Sequence, residues 1–274
     1  MRNSHFSGTL PKIKLKLFDS HCHLDDRAYD NDIDDVVHRM HAAGVASAMI
    51  VGTTLQRSIK AVSLAESFSE LYASVGIHPH DAKSCSEETL EDLRNLAKKF
   101  RVHAWGEIGL DFNRMFSSRK DQEKWLVRQL DVADEMDLPV IFHERDSNGR
   151  LIEILKTHFN KGRNGVIHCF SGDRDDLEQY LDMDLYIGIT GIVTIKGRGA
   201  DLRKLVPFIP VDRILVETDA PYLIPEPEKN HIRRNEPAFV RSVLLKLAEI
   251  KKEDPAHLAD KIWNNTCRLY NVRF

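Results

Sequence analysis

The stretch Leu15-Lys16-Leu17-Phe18-Asp19-Ser20-His21-Cys22-His23 is a short apolar run that ends in an H-x-H pair. On an extended strand successive side chains point to opposite faces, so His21 and His23 face together and Cys22 faces away. Two imidazoles displayed side by side at a strand end can hold one cation. Working outward along the chain, the same arrangement returns four times. Glu107 follows Val102-His103-Ala104-Trp105-Gly106, His143 follows Val140-Ile141-Phe142, His168 follows Gly165-Val166-Ile167, and Asp219 follows Ile214-Leu215-Val216-Glu217-Thr218. Any one of these alone fits a hydrogen-bonded core residue or a helix cap. Together they do not, because buried ionisable groups are costly unless paired or metal-bound. They predict one metal site assembled from strand ends far apart in sequence.

The apolar, β-rich runs number eight: residues 15–19, 46–52, 71–77, 102–108, 138–143, 165–170, 185–191 and 214–219. Helical periodicity fills the gaps between them. Residues 121–136 carry Trp125, Leu126, Leu130 and Ala133 on one side, and residues 237–250 do the same with Phe239, Val240, Val243, Leu244, Leu247 and Ala248. A last helix has Asp254 as N-cap, Pro255 at its first position, and an apolar face of Leu258, Ile262 and Leu269. Eight alternating units in 274 residues, without a long linker, predict an α/β fold of a single domain, a (β/α)8 TIM barrel spanning residues 15–274. In such a barrel functional residues gather at the C-terminal strand ends, where this pattern places them. Residues 1–14 read as a poorly ordered leader. The glycine-rich fingerprints of dinucleotide and P-loop folds are missing from the sequence.

Composition narrows the classes further. A hydrophobic fraction of 42% and a charged fraction of 30% are those of an ordinary globular chain. No apolar run approaches the roughly 20 residues that span a bilayer, and the N-terminus lacks the apolar core of a secretory signal. Cys22, Cys85, Cys169 and Cys267 follow no metal or disulfide spacing, which predicts reduced thiols in a cytoplasmic protein. Cys22 and Cys169 read as small core residues. A net charge of −3 argues against coating long duplex DNA, so any nucleic-acid contact must be local to the site. His5, His38, His41, His158, His231 and His257 lie away from strand ends and read as solvated surface residues.

In chain order the motifs are D-S-H-C-H-L-D (19–25), G-I-H-P-H (76–80), G-E-I-G-L-D-F (106–112), P-V-I-F-H-E-R-D (139–146), H-C-F-S-G (168–172), E-T-D-A-P-Y-L (217–223) and R-N-E-P-A (234–238). This set resembles the TatD family of metal-dependent hydrolases, within the amidohydrolase-type barrels, over about Leu17 to Tyr270. Glu144 departs from the pattern, standing where relatives often carry a small residue. The resemblance implies a cytoplasmic, divalent-metal-dependent deoxyribonuclease, a 3′-5′ exonuclease acting on the 3′ ends of single-stranded DNA and also RNA. Some relatives are linked instead to removing D-amino acids from mischarged tRNA.

The expected roles are these. His21 and His23, joined by Asp219, hold a first divalent ion; His143 and His168 hold a second; Glu107 bridges the two. Paired cations clamp a scissile phosphate and acidify a water, with Asp219 orienting or deprotonating that water, the role this position plays in resembling enzymes. Glu217 shares the inward face one layer deeper and reads as a partner that steadies a ligand. His78 and His80 end the third strand, where His78 can contact phosphate or serve a further metal. Arg114, Arg145, Arg233 and Arg234 are candidates for phosphate, and Phe112, Phe116 and Tyr222 for base stacking. Imidazole-rich ligation accepts zinc, manganese or nickel; magnesium enters through the resemblance. A monomer is compatible with this reading. One rival is hydrolysis of an aminoacyl-tRNA ester or another amide or ester on the same barrel. Related enzymes often bridge with a carboxylated lysine at the fourth strand, where this chain has Glu107. The other rival is a non-catalytic binding module; such modules usually lose ligands, and this chain keeps all six.

Overall fold

A computed structural model describes residues 15–160 and 162–273; the expected leader, 1–14, lies outside the described residues. All eight apolar runs are strands: β1 (Leu17–Cys22), β2 (Val45–Val51), β3 (Leu71–Val75), β4 (Val102–Asp111), β5 (Val140–Arg145), β6 (Gly165–Ile167), β7 (Tyr186–Ile189) and β8 (Ile214–Val216). They pair in parallel in chain order. Backbone bonds from Asp219 N to His21 O (2.9 Å) and from His23 N to Ala220 O (2.7 Å) close the ring between β8 and β1. The expected (β/α)8 barrel is the observed one.

Helices α1 (Ile33–Ala42), α2 (Leu55–Ser67), α3 (Glu87–Ala97), α4 (Arg119–Glu135), α5 (Arg150–His158), α6 (Arg174–Asp182), α7 (Ala200–Leu205), α8 (Val240–Lys251) and α9 (Pro255–Leu269) surround it. Side-chain oxygens of Thr54, Ser86 and Ser118 cap α2, α3 and α4 by accepting from backbone N–H groups of the first turn. Asp254 caps α9, accepting from Ala256 N and His257 N. On α9, Leu258, Ile262 and Leu269 are at most 1% exposed, and each such burial contributes about 1.5–3 kcal/mol. The α8 pattern begins late, at Val240, because Pro237–Phe239 forms a 3-10 turn first. No helix among the described residues is long and apolar enough to cross a membrane.

The core has two layers. One lies between strands and helices; the other fills the barrel and includes Phe18, Met49, Tyr72, Ala104, Ile141, Val166, Tyr186 and Leu215. Trp263, Leu269, Tyr270 and Val272 plug the floor of the barrel, and the Tyr270 hydroxyl donates to Ser20 O at 2.9 Å. The opposite end is therefore left for the site.

Alternation from the inner layer carries the site residues inward on three strands: Ile141 to His143, Val166 to His168, and Leu215 through Glu217 to Asp219. On β1 and β4 it does not. Phe18 and Ala104 face inward, and strict alternation would turn His21 and Glu107 out. Each strand instead carries one extra residue at that place. Asp19 and Cys22 pair with Ala48 and Ile50, three steps against two, and Trp105 and Ile108 pair with Val140 and Phe142 in the same way. These bulges reverse the parity, so Cys22, Trp105 and Ile108 join the outer layer while His21, His23 and Glu107 point into the barrel.

Candidate metal centre

At the open end the side chains expected from sequence converge. His21 Nε2 and His23 Nε2 lie 3.3 Å apart. Around them stand Glu107 Oε2, at 3.6 and 3.9 Å, and Asp219 Oδ1, at 3.8 and 3.3 Å. His23 Nδ1 faces Val51 O at 3.1 Å, which places its proton there and leaves the Nε2 lone pair for the centre. The other carboxylate oxygen of Glu107 faces a different set: His143 Nδ1 at 2.7 Å, His78 Nε2 at 3.5 Å and His168 Nε2 at 3.9 Å. Glu107 thus presents one oxygen to each of two imidazole groups.

The grouping differs from expectation in one respect. The close sets are His21–His23–Glu107, His78–Glu107–His143 and His21–His168–Glu217. His168 stacks on His21 with ring centroids 3.5 Å apart, whereas His143 and His168 are 6.5 Å apart and share no such set. His78, expected at phosphate or at a further metal, is the residue that groups with His143. Glu217 lies beneath: Oε1 is 2.9 Å from His168 Nδ1 and accepts from Cys169 N at 2.6 Å, while Oε2 accepts from Ser20 Oγ at 3.3 Å.

The electrostatics are those of a cation site. Burial alone would raise the Glu107 carboxyl, but the imidazoles of His78 and His143 hold it well below the usual carboxylate range. Burial and the neighbouring His168 push His21 well below an ordinary imidazole, and burial lowers His78 to about 4. His23 and His143 rise to about 9, because the carboxylates of Asp219 and Asp111 beside them outweigh burial. His21 Nδ1 is buried and has no hydrogen-bond partner among the described residues. Imidazole nitrogens and carboxylate oxygens facing one another at 3.3–3.9 Å form the donor set of a divalent cation, which would take the place of the protons on His23 and His143. The residues fit a metal.

Over the cluster opens a cavity of about 870 Å³. Arg114, Arg145, Phe116 and Tyr222 line it, as expected, with Phe116 54% and Tyr222 49% exposed. Two expectations are corrected. Arg234 does not line the cavity; Asp32 at 2.6 Å and Glu236 at 2.9 Å hold its guanidinium, and it lies over the Tyr29 ring. Phe112 packs against the core under Arg119 rather than facing the opening. His38, His41, His158, His231 and His257 are exposed, as read; His5 lies outside the described residues.

Asp111 is not among the residues expected at the site, yet its Oδ2 lies 2.7 Å from His80 Nε2 and 3.3 Å from His143 Nε2. A signal was present: Glu107, Gly109 and Asp111 fall on one face of β4. Arg57 and Arg198 also line the cavity, from the start of α2 and the loop before α7, where no strand-end pattern marks them.

The chain is similar to known proteins over nearly its whole length. The family model described as TatD related DNase matches residues 18–271. A relative named 3′-5′ ssDNA/RNA exonuclease TatD from Citrobacter koseri is 40% identical over 260 residues, 94% of this chain and 100% of the relative. The protein of the same name from Escherichia coli K12 is 39% identical over the same shares. Among solved structures, a TatD homologue from Escherichia coli K12 superposes with a TM-score of 0.88 at 31% identity, covering 95% of this chain and 100% of that one. A TatD family hydrolase from Entamoeba histolytica gives 0.85 at 25% identity, covering 93% and 98%. This chain belongs to the TatD related DNase family and is a TatD-type nuclease, a hydrolase of ester bonds.

Proposed function

We propose that the chain removes nucleotides from the 3′ ends of single-stranded DNA and RNA by divalent-metal-assisted hydrolysis. The observation that carries this reading is Glu107, which offers one oxygen to His21 and His23 and the other to His78 and His143 at the floor of an arginine-flanked cavity. One ion would be held by His21, His23, Asp219 and Glu107. A second would be held by Glu107 and His143, with His168 or His78 beside them. When bound, the ions supply Lewis acidity at a phosphoryl oxygen and acidify a water.

The chain's own groups do the rest. Asp219, at the rim of the cluster with its side chain 14% exposed, accepts the proton that the attacking water loses. The water oxygen joins phosphorus, one P–O ester bond breaks, and the departing oxygen takes up the proton that Asp219 accepted and leaves as a hydroxyl, so a phosphodiester and a water become a monoester and an alcohol. Arg114 and Arg145 offer guanidinium forks to non-bridging oxygens, and Phe116 and Tyr222 present rings to unpaired bases. Glu217 keeps the His168 ring oriented.

A digestion time course tests the reading, using 3′- and 5′-end-labelled single strands with Mg²⁺, Mn²⁺ or Zn²⁺ and D-aminoacyl-tRNA in parallel. Progressive loss of 3′ nucleotides is expected. Deacylation of the tRNA by protein that leaves every oligonucleotide intact would transfer the site to the rival ester chemistry.

A further inference from the structure

The walls of the cavity differ in charge. The side built from the ends of β1 to β3 carries Arg57 and Asp81 in the lining, with Asp25 and Asp26 behind. Arg57 is already committed there: its Nε is 2.9 Å from Asp25 Oδ2 and its Nη2 2.6 Å from Asp26 Oδ2. The carboxylates of Asp25, Asp26 and Asp81 outnumber the one guanidinium on that wall, which leaves Asp81 without an arginine of its own. The side built from the ends of β4 to β7 carries Arg114, Arg145 and Arg198, and its one lining carboxylate beside the central cluster, Asp111, is engaged by His80 and His143. None of these three guanidinium groups has an ion-pair or hydrogen-bond partner among the described residues, whereas Arg39, Arg94, Arg128, Arg150 and Arg163 all do. Leaving guanidinium groups unpaired around a cavity mouth keeps their donors available to an anion.

We propose that this polarity sets which way a nucleic-acid strand lies. The phosphodiester chain upstream of the scissile bond crosses the Arg114–Arg145–Arg198 wall. The 3′-terminal nucleoside, which carries no further phosphate, lies against Asp81 and Tyr222. The inference rests on the 3′-end nuclease reading and adds a strand path, a role for Arg198 and a reason for end selectivity. A hydroxyl at the 3′ end can donate to the Asp81 carboxylate. A continuing phosphate there would meet Asp81 and Asp26 across a wall whose arginine is taken, and like charges in a confined site repel. An internal segment of strand is therefore disfavoured on that side, and a free end is accepted.

The test uses the full chain with Mn²⁺ and 5′-labelled oligonucleotides of increasing length, ended by 3′-hydroxyl or 3′-phosphate. Arg198→Ala is compared with wild type, and Lys204→Ala, which removes a nearby charge outside the cavity, serves as control. For the wild type, KM falls as upstream phosphates are added, and 3′-phosphate ends are cut more slowly than 3′-hydroxyl ends. For Arg198→Ala, KM on the longer strands rises roughly tenfold, the loss of one charge-assisted contact. Its salt slope shrinks by about 0.7, and the effect on a dinucleotide is much smaller. Asp81→Asn narrows the preference for the hydroxyl end. An Arg198→Ala profile that follows wild type at every length, or equal cutting of both ends by wild type, overturns the strand path while the nuclease reading stands. Metal-loaded wild type that cuts no oligonucleotide of any length removes both.

Discussion

An alanine at position 188 should cost metal affinity while sparing the fold. Gly188 is in β7 and faces the barrel interior, where an added Cβ would sit 2.6 Å from Glu217 Oε2, 2.7 Å from Oε1 and 2.8 Å from Cδ. Ordinary contact requires about 3.5 Å or more, so the carboxylate must retreat by roughly 0.8 Å. It is the far end of a flexible side chain, so the backbone can stay in place and overpacking should cost about 1 kcal/mol, the low end of its range. The retreating carboxylate cannot keep its partners, however. It would loosen from Cys169 N at 2.6 Å and from His168 Nδ1 at 2.9 Å. One charge-assisted hydrogen bond is worth about 1.5–3 kcal/mol, and losing the carboxylate behind a ligating histidine weakens metal binding about 10–100-fold. Thermal unfolding of the metal-free protein and a metal titration against a competing chelator measure the two effects separately. A fall in Tm of a few degrees is expected, with a Kd raised by one to two orders of magnitude. Glu217→Gln, which removes the charge and keeps the shape, should weaken metal binding in the same direction. Wild-type metal affinity in Gly188→Ala would refute the claim that Glu217 steers His168. Loss of folding together with metal binding would show that the backbone, not the carboxylate, gives way.

Asp219→Asn should lower kcat by roughly 10²–10⁴ with little change in KM, and a steady-state rate near wild type removes Asp219 as the proton acceptor. Stripping the protein with a chelator should lower Tm, and returning metal at about 100 times its Kd should restore about 2.7 kcal/mol; equal unfolding with and without metal counts against the cluster as a metal site. Arg234→Ala should act on stability rather than on substrate. The hydrogen bond from Arg234 holds the Asp32 carboxyl down at about 2. A depressed carboxyl contributes stability above its ordinary value near 3.9 and loses it as pH falls through the folded value. The urea midpoint of Arg234→Ala should therefore lie below wild type at neutral pH, with the gap closing between about pH 4 and pH 2. An unchanged midpoint with a steep, salt-dependent rise in KM would return Arg234 to the substrate.

Much of the site was legible because strand ends advertise themselves. Val140-Ile141-Phe142 before His143 and Gly165-Val166-Ile167 before His168 are runs in which the residues that fill the core also set the direction of the next side chain. What stayed hidden depends on contacts between distant loops. Arg234 reads as a phosphate ligand until Asp32, 202 residues away in sequence, is seen beside it. The grouping of His143 with His78 follows from how the loop after β3 folds over β4, which neither run encodes. Phe112 and Phe116 look alike in sequence, and only the turn between them decides which one faces the cavity.

Parity explains why two strands needed more than a pattern. On β5, β6 and β8 an even number of steps separates the residue that fills the barrel from the residue that serves the site, so one alternation satisfies both. From Phe18 to His21 and from Ala104 to Glu107 the separation is three, and a regular strand would have to sacrifice either the core or the ligand. The extra residue in each strand removes the conflict. At β4 it falls at Gly106, whose φ of +143° is hostile to a side chain and where a Cβ would meet Ile141 O at 2.5 Å. Glycine is thus required there for a reason that reaches the chemistry: it lets β4 pack against β5 while turning Glu107 inward. The H-x-H pair and the shared carboxylate, which define the centre, are the groups the barrel positions by departing from its own repeat.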